Sequence, residues 1–296
     1  MHRYLRSIGF ADNINSEYDI ELILNDLFRT YDRRETLQLD GEKRILVQLF
    51  KSFGPNIGLS LCGELDMNGF HRMFYFPYLT GTSVSSGNAL ESVELKSSGG
   101  GYLAMCDDPR LGVSLIYFVT NPLEYKKAAE EENVYYPHET STLSGLALSG
   151  VILLPVEKDS GTVKSRNTFN AHHNMLVSQA RDGDEDAIEN LAMEDMSTYD
   201  MITRRLPNED ILTIVDSYFM PHGAESDQYQ VLGTIQTVTR VCNSHTQEHV
   251  YQMTLDCNDV IFDICINERD LYGEPEVGRR FKGNIWLQGK IHFFTN

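Results

Sequence analysis

At 296 residues the chain has room for two domains, and its 41% apolar and 23% charged residues are the balance of an ordinary soluble globular protein. It carries 43 acidic against 25 basic residues, a net charge of −18, which repels phosphate backbones and anionic membranes over most of the surface. No run approaches the roughly 20 apolar residues of a membrane-spanning helix, and the first ten residues, MHRYLRSIGF, lack the apolar stretch of a secretory leader, so a soluble, cytoplasmic chain is expected.

The five cysteines (Cys62, Cys106, Cys242, Cys257, Cys265) contain no C-x-x-C pair, and most lie in apolar runs. They read as reduced, buried residues rather than a disulfide framework or a zinc site, and neither metal nor cofactor is expected.

The first helix is signalled by SEYDIELILNDLFRTYD. Ser16 is placed to cap it, with Asp19 three residues on as the returning acid, and Ile20, Ile23, Leu24, Leu27 and Phe28 repeat at helical spacing. KRILVQLF, IGLSLCGEL and HRMFYFPYL then read as strands, joined by turns at FGPN and DMNG. Asp66 of that second turn resembles the start of a calcium loop, but the bidentate Glu of such a loop is missing and a hairpin turn is expected. Pro77 suits an edge strand.

TGTSVSSGNALESVELKSSGGGYLAMCDD holds two flexible patches, Ser85–Asn88 and Ser97–Gly101, without a phosphate-loop motif. CDDPR, from Cys106 to Arg110, reads as a turn. Its enzymatic reading makes Cys106 a nucleophile beside two aspartates. LGVSLIYFV is a buried strand, NPLEYKKAAEEE a short helix that Asn121 can cap, and LSGLALSGVILLP another apolar strand. Residues 157–170 are polar and read as a linker. An acidic segment follows, with 11 acidic and 3 basic residues between Arg181 and Asp216, and it reads as two short amphipathic helices with a break.

From residue 208 the chain is strand-rich. A long strand with a central glycine, QYQVLGTIQTVTRV, precedes two hairpin strands, a short insert and the final GRRFKGNIWLQGKIHF, an order that resembles an OB-like barrel. The fold expectation is therefore α+β: an antiparallel-rich N-terminal α+β domain over 1–156, a linker and acidic helical connector over 157–207, and a small OB-like β-barrel over 208–296.

MHRYLRSIGF, SLCGELDMNGFHRMFYFPYL, IVDSYFMPHGAESDQYQVLGTI and FDICINERDLYGEPEVGRRFKGNIWLQGKI together make the chain resemble a domain-of-unknown-function family from anaerobic gut bacteria. The resemblance implies a cytoplasmic bacterial protein and carries no activity, cofactor or catalytic residue.

Two sets of residues invite a function. Along the last strand Arg280, Lys282, Trp286 and Gln288 alternate onto one face, with Phe281, Ile285, Leu287 and Ile291 on the other, so the first set forms a candidate ligand-binding platform for a base or sugar. The loop YFMPHGAESDQY clusters His222, Glu225 and Asp227, which are the candidate catalytic residues together with Cys106. HTQEH places His245 and His249 across a turn and is no zinc motif. The leading expectation is a non-enzymatic binding or scaffold protein whose barrel contacts a protein partner or a small ligand. The alternatives are an OB-type binder of single-stranded nucleic acid or oligosaccharide at the basic final strand, and a hydrolase-like enzyme using the loop 218–229.

Overall fold

Helix α1 (Glu17–Thr30) begins as the sequence demands. Ser16 Oγ accepts from Asp19 N, while the Asp19 carboxylate accepts from Ser16 N, so two backbone donors at the helix start are satisfied reciprocally. Its buried face is Ile20, Ile23, Leu24 and Leu27. We describe a computed structural model covering residues 2–293, apart from 13, 15, 39–43, 84–89, 96–99, 109, 111–112, 131–139, 157–171, 173–174, 178, 181–182, 206–211 and 213–214. The Ser85–Asn88 patch, part of the Ser97–Gly101 patch and the expected linker to residue 170 lie outside these described residues.

Against α1 packs a small antiparallel sheet of β1 (Arg33–Gln38), β2 (Ile45–Gly54), β3 (Ile57–Asp66) and β4 (Gly69–Leu79), in that spatial order. The expected turns join them: Asn56 takes a left-handed conformation, and Asp66 Oδ1 accepts from Asn68 N and Gly69 N, so DMNG is a hairpin turn. Pro77 lies on β4, an edge of this sheet. Pairing register puts Arg33, Glu35, Gln48, Phe50, Ser60 and Tyr78 on one face. Strand β1 (RRETLQ) escapes a reading based on apolar alternation because its side chains are mostly exposed and polar.

The remaining strands are β5 (Leu90–Leu95), β6 (Tyr102–Asp108), β7 (Val113–Val119), β8 (Thr140–Leu153), β9 (Tyr218–Pro221), β10 (Gln228–Cys242), β11 (His249–Cys257), β12 (Val260–Asn267), β13 (Leu271–Tyr272) and β14 (Arg280–His292). Five of them close into a barrel in the order β8-β12-β11-β10-β14, with β14 returning to β8. All neighbours are antiparallel except β8 and β12. A closed barrel is thus present within a strand-rich α+β chain, as expected. Yet its strand β8 precedes residue 156, so the barrel reaches beyond 208–296. A run of apolar residues identifies β8 as buried but does not name its partners.

Leu143, Val231, Leu255, Ile264, Phe281 and Leu287 point into the barrel, in an apolar cluster separate from the one beneath the small sheet. β14 also pairs with β7 at Gln288 and Gly289, attaching the β5–β6–β7 ribbon. Helix α2 (Pro122–Glu130) follows β7. Asn121 stands at its start, with its backbone O accepting from Tyr125 N; its amide donates to Glu124 Oε2 in the first turn and to Ile291 O, and accepts from Ile291 N, tying the helix start to β14. Where a break was expected between Ala192 and Met196, the acidic connector runs as one continuous helix, α3 (Glu185–Arg205), and, among the described residues, 175–177 and 179–180 ahead of it are helical too. No proline or glycine interrupts residues 184–206, so nothing in the backbone enforces a break.

The first residues form a 3-10 turn, Arg3–Ile8, laid across the barrel's outer surface. Ser7 Oγ donates to Ala147 O at 2.7 Å, Asn243 Nδ2 to Ile8 O at 2.8 Å and Asn267 Nδ2 to Arg6 O. Gly9 ends the turn at φ +93°, where a Cβ would sit 2.9 Å from Asn243 Cβ, so any other residue would strain this anchor. The segment after β4 is pinned similarly: buried Asp263 accepts from both Thr82 N and Thr82 Oγ1.

Candidate ligand cleft between the barrel and the small sheet

β14 is covered on both sides from Ile285 to Gly289, and this corrects the expectation of an exposed platform. Trp286 is 2% exposed. Its ring lies 4.6 Å from His2, 5.2 Å from Tyr4 and 5.0 Å from Phe118, and its Nε1 donates to Asp227 Oδ2 at 2.9 Å. Gln288 is fully buried and clasps β4: Nε2 donates to Pro77 O and Oε1 accepts from Leu79 N. Buried Arg280 donates to Leu154 O, Leu212 O and Val215 O. Lys282 is half-buried. Alternation divided the two faces of β14 correctly, because Phe281, Ile285, Leu287 and Ile291 do line the barrel interior. It carried no information about the sheet and N-terminal turn that cover the other face.

The loop candidates separate by burial. His222 and Glu225 are exposed, whereas Asp227 is fully buried and bound to Trp286. Cys106 is fully buried on β6 in the barrel-side core, where a thiolate would be poorly solvated. Among the described residues no group of three or more His, Cys, Asp or Glu side chains is placed to hold a metal ion. His245 packs against Phe10 and Phe53.

The structure instead gathers chemistry in a cleft of about 380 Å³ between the small sheet and one end of the barrel. Its floor is aromatic. Phe50 carries the Arg33 guanidinium 3.9 Å from its ring centre, and Tyr78 meets the Phe50 ring nearly edge-on. Arg33 is Phe50's direct cross-strand partner, so register alone brings the cation over the ring. Burial pushes the Tyr78 hydroxyl up to about 12, against the opposing influence of Arg33, so it stays a hydrogen-bonding phenol at neutral pH.

The roof comes from the ends of β8 and β14 and from the β7–α2 junction. Lys290 and His292 project from β14, and Thr142 Oγ1 lies 2.8 Å from His292 Nε2. Burial, then the neighbouring Lys290 charge, holds His292 below its ordinary value, so it is neutral at pH 7. Arg33 and Lys290 arrive from two different sheets, and among the described residues their ion pairs are long, 3.5 Å to Glu35 and 3.7 Å to Glu124. Asp32, the one carboxylate among the described residues that line the cleft, accepts from Ser52 N at 2.7 Å. In a chain of net charge −18 this is a local reversal.

Lys290 and His292 continue the same alternation as Trp286 and Gln288, two to six residues further along β14. Arg33 and Tyr78 had no such signal, since they reach the cleft only through tertiary pairing.

A family model described as a domain of unknown function from an E. rectale gene (DUF3881) matches residues 5–289. The chain belongs to that family. The match spans the small sheet and all but the end of the barrel's last strand, stopping just before Lys290 and His292 of the cleft, in agreement with the whole-chain resemblance seen in the sequence. No curated protein and no solved structure matches the chain. Among the described residues no helix is long and apolar enough to cross a membrane.

Proposed function

We propose that this chain is a non-enzymatic binding protein that holds a small anionic ligand in the cleft. The observation that carries the reading is the convergence of Arg33 and Lys290 on one aromatic-floored cavity, where among the described residues their ion pairs are long. A carboxylate, sulfate or phosphate group would complete charge-assisted hydrogen bonds with both, Thr142 would add a polar contact, and an apolar portion would lie on Phe50 and Tyr78. A cytoplasmic setting fits five cysteines of which none is in a disulfide.

The barrel's connectivity supports reading it as an OB barrel in permuted order. β10, β11, β12 and β14 serve as strands one to four, and β8, placed earlier in the chain, serves as the fifth. OB barrels commonly bind ligands over strands two and three. Here Cys265 and Asn267 of β12 are engaged by the 3-10 turn and Asp263 by Thr82, so the chain's own segments lie on that surface. That favours the cleft over a nucleic-acid or oligosaccharide track.

Thermal denaturation with sulfate, phosphate and small carboxylates tests the proposal. A ligand at about 100 times its Kd adds roughly 2.7 kcal/mol of stability. We expect a concentration-dependent rise in Tm that Arg33→Ala and Lys290→Ala each remove. No rise with any anion, or a rise that persists in both variants, would overturn the reading.

A further inference from the structure

Beside Arg33, on the same face of the small sheet, two oxygen atoms share an unusual situation. Glu35 and Gln48 are direct partners across β1 and β2, which sets their side chains close together. Gln48 is fully buried, and its Nε2 donates to Ser60 Oγ at 2.9 Å and to Thr120 O at 3.0 Å. Thr120 O can only accept, so the amide orientation is fixed and Oε1 is left needing a donor. Glu35 Oε2 is buried too, while Oε1 faces Arg33. Among the described residues neither Gln48 Oε1 nor Glu35 Oε2 has a hydrogen-bond partner. Two buried acceptors on directly paired residues are each costly, and one proton shared between them would satisfy both.

We infer that Glu35 is held as a neutral carboxylic acid donating its proton to Gln48 Oε1, and that ionisation of Glu35 is the switch by which the cleft releases an anion. The groups facing Glu35 from each packed element are Arg33 on its own strand, Gln48 on β2, Cys62 on β3, Glu124 on α2 and Lys290 on β14. Burial, first, and the Glu124 charge favour the neutral acid, while Arg33 and Lys290 favour the carboxylate. Burial keeps the Cys62 thiol well above its ordinary value and thus uncharged.

With Glu35 neutral, Arg33 and Lys290 face the cleft with less competition. Once Glu35 ionises, Arg33 gains a counter-charge 3.5 Å away, Lys290 is drawn by the same charge, and an incoming anion meets an added negative charge. Linkage makes the effect reciprocal: an anion in the cleft draws a proton onto Glu35. The functional half of this inference rests on the cleft reading above, whereas the protonation state does not.

The experiment therefore has two arms. Carbon-13 NMR of carboxyl-labelled glutamate, with Glu35 assigned by its loss in Glu35→Gln, follows the group in the protein without added anion. We expect it to titrate clearly above the ordinary glutamate value of about 4.3. Titration at that ordinary value would overturn the inference and mean that another donor serves both oxygens. The second arm measures sulfate affinity between about pH 5 and pH 8 in a His292→Gln background, which removes the histidine that also titrates in the cleft. The Kd for sulfate should rise about fivefold across that range, the scale expected for one added charge nearby, and stay flat when Glu35→Gln is added. A pH dependence unchanged by Glu35→Gln would overturn the switch. Absence of sulfate binding at every pH, with Glu35 still titrating high, would remove the cleft reading and the switch while leaving the shared proton intact.

Discussion

The barrel interior and the seam where the small sheet and N-terminal turn lie on the barrel are both buried, but they are built from different chemistry. The interior is apolar throughout, and glycines such as Gly145 and Gly150 leave room where Ile285 and Phe281 press against the wall. The seam has an apolar base too, yet is crossed by buried polar side chains: Ser7, Ser144, Asn243, Asp263 and Gln288. Each bonds backbone from a distant part of the chain. Apolar contact tolerates sliding, whereas a hydrogen bond to a particular carbonyl does not. The interior supplies most of the stability and the seam fixes how the layers dock.

The strongest way to break that contrast is to delete everything after Gly278. This removes β14, which borders both β8 and β10, opens the barrel and strips the seam of Trp286 and Gln288. The truncated chain should show no cooperative transition by calorimetry, and a cooperative one would refute the closed-barrel architecture. Next in size, Phe281→Ala should cost about 3–5 kcal/mol in denaturant unfolding, as a large buried side chain leaves a cavity among residues that cannot collapse fully.

The seam should answer differently. Gln288→Met keeps the volume and adds apolar character, yet it abandons Pro77 O and Leu79 N, at about 1–3 kcal/mol for each group left without a partner. If Gln288→Met proves neutral or stabilising, the polar docking argument fails. Trp286→Phe leaves the Asp227 carboxylate without its indole donor and should cost about 1–3 kcal/mol. In the unaltered protein the Trp286 emission should be blue-shifted and shielded from iodide. The smallest effect belongs to the cleft. Arg33→Ala gives up an exposed cation–π contact worth about 0.5–1 kcal/mol, so anion binding should vanish with little change in stability.

Much of the scaffold was legible one segment at a time. Ser16 and Asp19 announced the capping box, FGPN and DMNG announced their hairpins, and the inward set Phe281, Ile285, Leu287 and Ile291 was readable by alternation. These signals are local, carried by neighbours within a few residues. The rest depends on pairing between distant segments. Nothing near Leu146 says that it will lie beside Trp286, and the polar RRETLQ has no apolar rhythm to mark it as a strand. The cleft was hidden for the same reason, since Arg33 and Lys290 meet only after two sheets have docked. Trp286, the most conspicuous residue in the tail, drew attention for its chemistry, although an indole donor beside a buried aspartate serves packing equally well.

The early position of β8 shapes how this molecule is made. A ribosome completes that greasy ribbon long before its neighbours β12 and β14 exist, and through the intervening synthesis it can pair with neither. A nascent chain in that condition is vulnerable to sticking to its own kind and suited to a holding chaperone. Once β14 emerges, a single closure event joins early and late segments, so the finished fold should resist piecemeal opening from either side.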